Sequence, residues 1–161
     1  MDRITFSNKV LVLSETLYRT AKSILLDEEL AKDSVQDLYL KLWEKRNSLH
    51  EVENMTAFAL KVLRNLCLDK LRKKKEIDAI SEVEMVRAPS LHEIVEHKDM
   101  IRVIKKLIDQ LPELQRTIIR LRDVEGLEIK NIAYITSTSE NAVMVNLSRA
   151  RQKIRERLVK L

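Results

Sequence analysis

The stretch TSTSENAVMVNLSRARQKIRERL, residues 136–158, joins a polar turn to a long basic segment near the end of the chain. Ser139 closes the turn, where a serine side chain can accept a hydrogen bond from the free N–H groups of a helix start. The apolar residues that follow recur every three or four positions, which is the period of one buried helix face. They are Val143, Leu147, Ala150, Ile154 and Leu158. The stretch therefore predicts a helix that begins after Ser139 and packs on one face.

The residues before this stretch indicate that it is the second helix of a pair. A short helix is expected from about Glu128 to Ile135, followed by the turn TSTS. Gly126, the single glycine of the chain, stands where a left-handed residue would close the preceding helix. Two helices joined by a tight turn, the second longer and basic, form the helix-turn-helix layout.

The outer face of the long helix allows two interpretations. In a helix-turn-helix, the first turns reach base edges in the major groove and later cations reach phosphates. The same basic face could instead be a solvated surface of a small helical bundle. The short helix and turn that precede it favour DNA contact. The face carries Asn141, Val145, Ser148, Arg149, Gln152 and Arg155.

The composition favours an all-α protein. The 161 residues include one Gly and two Pro, too few for the many tight turns of an all-β architecture. Hydrophobic residues make up 45% of the chain, which is enough to build cores, and aromatic residues only 4%. We therefore expect small helical cores filled by Leu, Ile and Val.

Several classes of function are disfavoured by the same composition. The single cysteine, Cys67, and three scattered histidines cannot assemble a metal cluster, so we expect no metal and no cofactor. One glycine cannot build a phosphate-binding loop, and no nucleophile–base pattern is present, so we expect no enzyme. No apolar run approaches the roughly 20 residues that span a bilayer. The N-terminus lacks a signal-peptide pattern, and a cytoplasmic location is the expectation.

Charge divides the chain into three parts. Residues 1–75 carry 15 basic and 11 acidic groups, and residues 100–161 carry 13 and 7. Residues 76–99 carry 2 basic and 7 acidic groups and lose helical periodicity. Two basic blocks around an acidic connector predict two small helical domains that face polyanions, joined by a flexible acidic linker.

Three helices are expected in the first block. The first covers residues 5–26, the second follows an Asp27 cap and runs to about Arg46, and the third spans about Met55 to Lys75. The outer face of the second helix holds Leu40 among polar residues, which indicates either a protein-binding patch or a stray surface leucine. The basic end of the third helix could follow a nucleic-acid backbone or simply complement the helix dipole.

These segments, taken in order, resemble the extracytoplasmic-function (ECF) group of bacterial sigma-70-family RNA polymerase sigma factors. AKDSVQDLYLKLWEKR resembles region 2.2, and NMTAFALKVLRNLCLDKLRKKK resembles regions 2.3 and 2.4. LPELQRTIIRLRDVEGLEIKNIAYITSTSENAVMVNLSRARQKIRERL is similar to region 4. The resemblance covers nearly the whole chain and implies a region 2 three-helix bundle and a region 4 helix-turn-helix.

The resemblance also implies a role for particular residues. Contact with the β′ clamp helices of core RNA polymerase would involve Asp33, Gln36, Asp37, Leu40 and Trp43. Opening and reading of the −10 element would involve Asn54, Thr56, Lys61, Arg64, Asn65 and Arg72. Reading of the −35 element would involve Ser139, Asn141, Met144, Val145, Ser148, Arg149, Arg151 and Lys153.

The function implied is promoter-specific transcription initiation with core polymerase, which the chain would contact at the β′ clamp helices and the β flap. An anti-sigma factor is implied as a further partner, and the free chain would be a monomer without membrane insertion of its own. The alternative is a helix-turn-helix regulator or helical adaptor that does not act in initiation.

Four positions depart from the family's pattern. The family often has Gly at position 137 and Thr at 142, where this chain has Ser137 and Ala142. It often has Lys or Arg where Met144 and Asn146 stand. Ser137 is therefore expected to adopt a positive φ at a cost of roughly 1 kcal/mol, and two missing cations would weaken binding to the −35 element.

Overall fold

A computed structural model describes residues 1–80 and 99–160. All regular structure within these residues is helical. The α-helices are α1 Arg3–Lys9, α2 Ser14–Leu25, α3 Glu28–Glu44, α4 Met55–Ile80, α5 Met100–Asp109, α6 Glu113–Ile119, α7 Ile129–Thr136 and α8 Glu140–Val159. The all-α class expected from the composition is confirmed.

The N-terminal helix differs from its prediction. Instead of one helix over residues 5–26, α1 ends at Lys9 and a short 3-10 segment, Leu11–Leu13, separates it from α2. The break gives α1 a direction of its own, and its Phe6 packs edge-on against Trp43 of α3 with ring centroids 5.1 Å apart. The periodicity of the sequence continued through the break and so could not reveal it.

Helix starts follow the caps expected from the sequence. Asp27 accepts hydrogen bonds from the backbone N–H groups of Glu29 and Leu30, at 3.0 and 3.1 Å. The Ser139 hydroxyl accepts from the N–H of Ala142 at 3.0 Å. Each bond satisfies a donor that has no partner within the helix, and the predicted starts of α3 and α8 are confirmed.

Helix α4 is longer than predicted. It was expected to end at Lys75 but continues to Ile80, so residues 76–80 of the expected linker are helical. Residues 81–98 of that linker lie outside the described residues.

Two residues with positive φ shape the helix-turn-helix. Gly126 has φ +74° before α7, and Ser137 has φ +54° in the turn before α8. The N–H of Thr138 donates to the carbonyl of Ala133 at 3.1 Å and closes the turn. Both left-handed residues were expected from the sequence.

Cys67 lies in the core of the first half. Its thiol is fully buried between α4 and α3, where it interacts with Ser34. Burial raises the pKa of Cys67 from 9.0 to about 11 because the thiolate would lose its hydration. The side chain is therefore a packing residue with a thiol that solvent does not reach.

The two halves of the chain pack against each other. Helix α2 contacts α6, and α4 contacts α7. The charge pattern predicted two domains joined by a linker but did not predict how the domains are placed relative to each other. Their packing brings residues about 50 to 110 positions apart into contact. The surfaces that result decide which candidate residues remain accessible.

Replacement of Ser137 by glycine should stabilise the fold. Ser137→Gly removes the steric cost of a left-handed residue, and the free energy of unfolding should rise by about 1 kcal/mol in urea denaturation. Ser148→Gly is the matched control, because Ser148 is exposed in the helical α8. It should lower the same quantity by about 0.5 kcal/mol. Equal effects of the two changes would contradict the strain at Ser137.

Burial of the Cys67 thiol should make stability fall at alkaline pH. Between pH 9 and 11 the unfolded chain releases the thiol proton while the folded chain keeps it. The free energy of unfolding should therefore fall with rising pH, by up to about 1.4 kcal/mol per unit from this group. Denaturation at pH 8, 9 and 10 should show a steeper fall for the natural chain than for Cys67→Ala. Parallel curves would contradict the assignment.

Candidate nucleic-acid and protein-binding surfaces

The outer face of α8 presents a mixed surface to solvent. The stripe formed by Val143, Leu147, Ala150 and Ile154 is buried, as the sequence predicted. The opposite side chains are exposed, and they include two apolar ones, Met144 and Val145. The exposed candidates between residues 139 and 149 are Ser139, Asn141, Met144, Val145, Ser148 and Arg149. Their order along one face is suited to reading the edges of bases in a groove.

The later cations of α8 differ in their surroundings. Arg149 is exposed and has no ion-pair partner among the described residues. Arg151 instead donates two hydrogen bonds to the carboxylate of Asp123, at 2.6 and 3.0 Å, and this bonding raises the pKa of Arg151. Lys153 donates to Gln115 Oε1 at 3.2 Å. Among residues 1–80 and 99–160, Arg149 has no hydrogen-bond or ion-pair partner, whereas Arg151 and Lys153 each have one.

The first turns of α8 carry no cation, and the side-chain amide of Asn146 bonds to the backbone of the same helix. The side-chain amide of Asn146 donates to the carbonyl of Ala142 at 2.8 Å, one turn back along the helix. Asn146 is thus partly buried against its own helix. The cations of α8 therefore begin at Arg149 and lie in the later part of the helix.

The outer face of α3 carries an exposed leucine among polar groups. The side chain of Leu40 is 64% exposed. Its polar neighbours along the face, Asp33, Gln36 and Asp37, are exposed as well. The carboxylate of Asp37 pairs with Lys70 of α4 at 2.9 Å. An apolar centre ringed by polar side chains is typical of a protein-binding patch.

Trp43 stands at the end of this face and is partly buried. Its ring packs against Phe6 on one side, and the guanidinium of Arg46 lies 4.3 Å from the ring centroid. The cation over the aromatic face is an attractive contact. Trp43 therefore holds α1 against α3 in addition to reaching the edge of the Leu40 face.

The candidate −10 residues on α4 fall into two groups. Asn54 is the N-cap of α4, because its side-chain oxygen accepts from the N–H of Ala57 at 3.0 Å. Asn65 and Arg72 are exposed, and Arg72 pairs with Asp69 one turn away. Thr56 is partly buried. These residues lie along one helix and its entry loop.

The other two residues contact the second half of the chain, where Arg64 is buried and Lys61 is partly buried. Arg64 is only 8% exposed and donates to both carboxylate oxygens of Glu113, at 3.3 and 3.0 Å. It also donates to the carbonyl of Thr136 at 3.4 Å. The ammonium of Lys61 lies 4.2 Å from the ring centroid of Tyr134 on α7.

A buried arginine that the sequence did not single out joins the two halves. Arg116 of α6 is 7% exposed and donates to the carbonyls of Ser23 and Ile24 at the end of α2, the latter at 3.0 Å. A third bond, at 2.8 Å, goes to the carbonyl of Leu111. Burial lowers the pKa of Arg116. Its position within the apolar run of α6 is the one sequence signal that could have marked it.

Besides the pair of Arg64 with Glu113, a second ion pair joins the two halves, and it links α2 to the turn before Gly126. The guanidinium of Arg19 donates to both oxygens of Glu125, at 2.8 and 3.1 Å, and the hydroxyl of Thr16 donates to the same carboxylate at 3.3 Å. Hydrogen bonding to Glu125 raises the pKa of Arg19. This pair lies at the rim of the contact, where Arg19 is exposed.

Within residues 1–80 and 99–160, no three His, Cys, Asp or Glu side chains form a group able to hold a metal ion. No helix of this part of the chain has the length and apolar character needed to cross a membrane.

The structure is a helical protein in which one half carries a helix-turn-helix and the other exposes Leu40 among polar side chains of α3. Comparison with protein families identifies both halves. Residues 12–77 match the family model "Sigma-70 region 2", and residues 101–154 match "Sigma-70, region 4".

Individual relatives agree with this assignment. The chain is 30% identical to the RNA polymerase sigma factor SigV of Bacillus subtilis, over 91% of this chain and 86% of that protein. It is 21% identical to the ECF RNA polymerase sigma factor SigW of the same species, over 98% and 90%. The chain belongs to the ECF group of the sigma-70 family, and it is a sigma factor that directs transcription initiation with core RNA polymerase at promoter DNA.

A solved structure shares the fold. The sigma factor RpoE of Bartonella quintana, in a complex with the anti-sigma factor NepR, superimposes with a TM-score of 0.79 at 24% identity. The match covers 96% of each chain, so both halves superimpose together.

Proposed function

We propose that the chain divides the work of initiation between two domains. Residues 1–75 would be the domain that binds core polymerase and the −10 element, residues 100–161 the domain that reads the −35 element, and residues 76–99 the linker. The observation that carries this proposal is the order of the two family matches, region 2 over 12–77 and region 4 over 101–154. In this role the protein binds and positions other molecules and has no catalytic group of its own.

Core polymerase would bind the outer face of α3. The exposed Leu40 would enter an apolar pocket on the β′ clamp helices, while Asp33, Gln36 and Asp37 would form the polar rim. Apolar anchors surrounded by polar groups contribute most of the binding free energy in such interfaces. Trp43 would contact polymerase with the edge that Phe6 and Arg46 leave open.

The −10 element would be opened and read by α4 and its entry loop. Duplex DNA must lose a base from its stack before a protein can read that base in a pocket, so opening and reading become one event. Asn65 is exposed on this face. Lys61 and Arg64 would supply contacts to the separated strand. Asn54, Thr56 and Arg72 would complete the surface.

The −35 element would be read as duplex by the exposed face of α8. Asn141 and Ser148 can hydrogen-bond to base edges, and Met144 or Val145 can contact a thymine methyl group. Arg149 would bind a phosphate. With so few free cations, α8 alone would bind DNA weakly, which is tolerable because core polymerase and the −10 contacts share the binding.

An anti-sigma factor would regulate the protein. The RpoE structure with the same fold was solved with its anti-sigma factor bound, and its match covers both halves of this chain. A protein that covers both halves together would suit the packed arrangement described above. The free chain would be a monomer and would act in the cytoplasm, where core polymerase transcribes DNA.

The polymerase contact is tested with a charge placed at Leu40. In transcription assays with purified core RNA polymerase and a pooled promoter library, the natural chain should produce defined transcripts. Leu40→Asp should weaken binding to core polymerase by about tenfold or more, because a buried apolar anchor becomes a desolvated charge. Binding is measured by competition with a labelled sigma factor.

Leu11→Asp is the matched control for this change, since Leu11 is also an exposed leucine of the first half. It should leave binding unchanged. If the natural chain neither binds core polymerase nor yields transcripts, the proposed function is wrong. If both variants bind as the natural chain does, α3 does not present the contact.

The −35 contact is tested with two arginines of α8. Arg149→Ala should lower the salt dependence of promoter binding by about one phosphate contact, a change of roughly 0.9 in the logarithmic slope. Arg151→Ala should change it less, because Arg151 is held by Asp123. The measurement is binding of sigma–polymerase complexes to promoter duplex over a series of salt concentrations. Equal slopes for the two variants would mean that Arg151 leaves Asp123 to bind DNA.

A further inference from the structure

The side chains that the first turns of α8 present to solvent form two parallel rows. Residues four positions apart lie one above the other on a helix, about 6 Å apart. One row is Glu140, Met144 and Ser148, and the other is Asn141, Val145 and Arg149. All six are exposed, on the side of α8 opposite its buried stripe. A duplex that binds the outer face of α8 therefore meets these two rows.

The first turns lack the groups that usually recognise guanine. In the major groove guanine offers two acceptors, N7 and O6, and the commonest specific contact to them is the cation of an Arg or Lys. Between residues 139 and 148 the single charged side chain is that of Glu140, whose carboxylate only accepts hydrogen bonds. These turns therefore offer no cation to a guanine edge.

The same turns hold one free amide, which suits adenine. The amide of Asn146 donates to the carbonyl of Ala142 at 2.8 Å and is committed to its own helix. The amide of Asn141 is exposed and has no hydrogen-bond partner among residues 1–80 and 99–160. An Asn side chain can donate to N7 and accept from N6 of one adenine at the same time. Asn141 is therefore the candidate adenine reader of α8.

Two exposed apolar side chains follow Asn141. Met144 is 58% exposed and Val145 is 38% exposed. The apolar group that base pairs present in the major groove is the C5-methyl of thymine. From Asn141 to Val145 the helix advances about 6 Å, which is about two base-pair steps of 3.4 Å. An adenine contact and a methyl contact can therefore fall within about three consecutive base pairs.

Val145 is the better placed of the two apolar side chains. Met144 also lines the apolar groove between α5 and α8, together with Ile104 and Ile108, so its side chain lies between that groove and the outer face. Val145 is not part of the groove lining. Its β-branched side chain is stiff about χ1, so contact with a methyl group costs it little rotamer freedom.

We propose that α8 selects −35 elements by their A·T pairs, with Asn141 as the adenine reader and Val145, assisted by Met144, as the reader of thymine methyl groups. The inference rests on the proposed role of α8 in reading the −35 element, and it names the base pairs that α8 accepts there. Burial of a methyl group displaces no counterions, so the preference for thymine is independent of salt although the affinity itself is not.

Replacement of thymine by uracil tests this proposal, because the two bases differ only in the C5-methyl group. Duplexes with a randomised −35 segment are first selected by complexes of the chain with core polymerase, and the selected segments should share a short run of A·T pairs. Uracil placed at each thymine of this run in turn should weaken binding about fourfold at a contacted position, the scale of one buried methyl group. The ratio should stay constant over a series of salt concentrations.

Val145→Ala assigns the methyl contact to a side chain. The variant should bind the thymine duplex more weakly than the natural chain and should no longer distinguish thymine from uracil at one position. Val159→Ala is the matched control, because Val159 is an exposed valine at the far end of the same helix. It should keep the full effect of uracil. Asn141→Ala should keep that effect too, but lose the preference for adenine at a neighbouring pair.

Three results would overturn the proposal. The selected segments could carry guanine where A·T pairs are expected, or the natural chain could bind thymine and uracil duplexes equally. The effect of uracil could also be as large in Val145→Ala as in the natural chain, which would assign it to the shape of the DNA.

A separate measurement distinguishes failure of this inference from failure of the proposed function. If no complex with core polymerase forms on any duplex, the proposed function is wrong. The full chain without polymerase is then titrated, at low salt and high protein concentration, into A·T-rich duplex pools synthesised with thymine or with uracil. Tighter binding to the thymine pool, lost in Val145→Ala, would support the methyl contact, and equal binding to the two pools would contradict it.

Discussion

The buried guanidinium of Arg116 joins the two halves of the chain. A charge in a protein interior must find bonded partners, and Arg116 finds them at the unpaired carbonyls of α2. The contact joins α6 to α2, and α7 of the same half packs over α4. The neighbours of Lys61 and Arg64 follow from that placement. The contact at the end of α2 thus bears on how accessible the proposed nucleic-acid surface of α4 is.

The proposed binding surfaces are exposed to different degrees in this arrangement. Leu40 of α3 and the outer face of α8 are open to solvent, whereas Arg64 of α4 is buried and Lys61 is partly buried against the second half. Under the proposed assignment, polymerase and duplex DNA would bind to surfaces that are already accessible.

Short-range features could be predicted because the residues that decide them are close in sequence. The caps at Asp27 and Ser139 and the left-handed residues at Gly126 and Ser137 each depend on neighbours within a turn. The break after α1 could not be predicted, because it accompanies the contact of Phe6 with a ring 37 positions away. The sequence indicated that Arg151 and Lys153 are free to bind phosphates, but each has a hydrogen-bond partner, 28 and 38 residues away respectively.

The sequence by itself determined the all-α class, the helix-turn-helix, the buried stripe of α8 and, through its resemblance, the family. These rest on periodicity, caps and ordered motifs, which are properties of contiguous residues. Only the tertiary structure decided how the halves meet. Arg116 reaches a carbonyl 93 positions away and Arg64 a carboxylate 49 positions away. No local pattern encodes such pairs, because each becomes possible only after both helices have formed and packed.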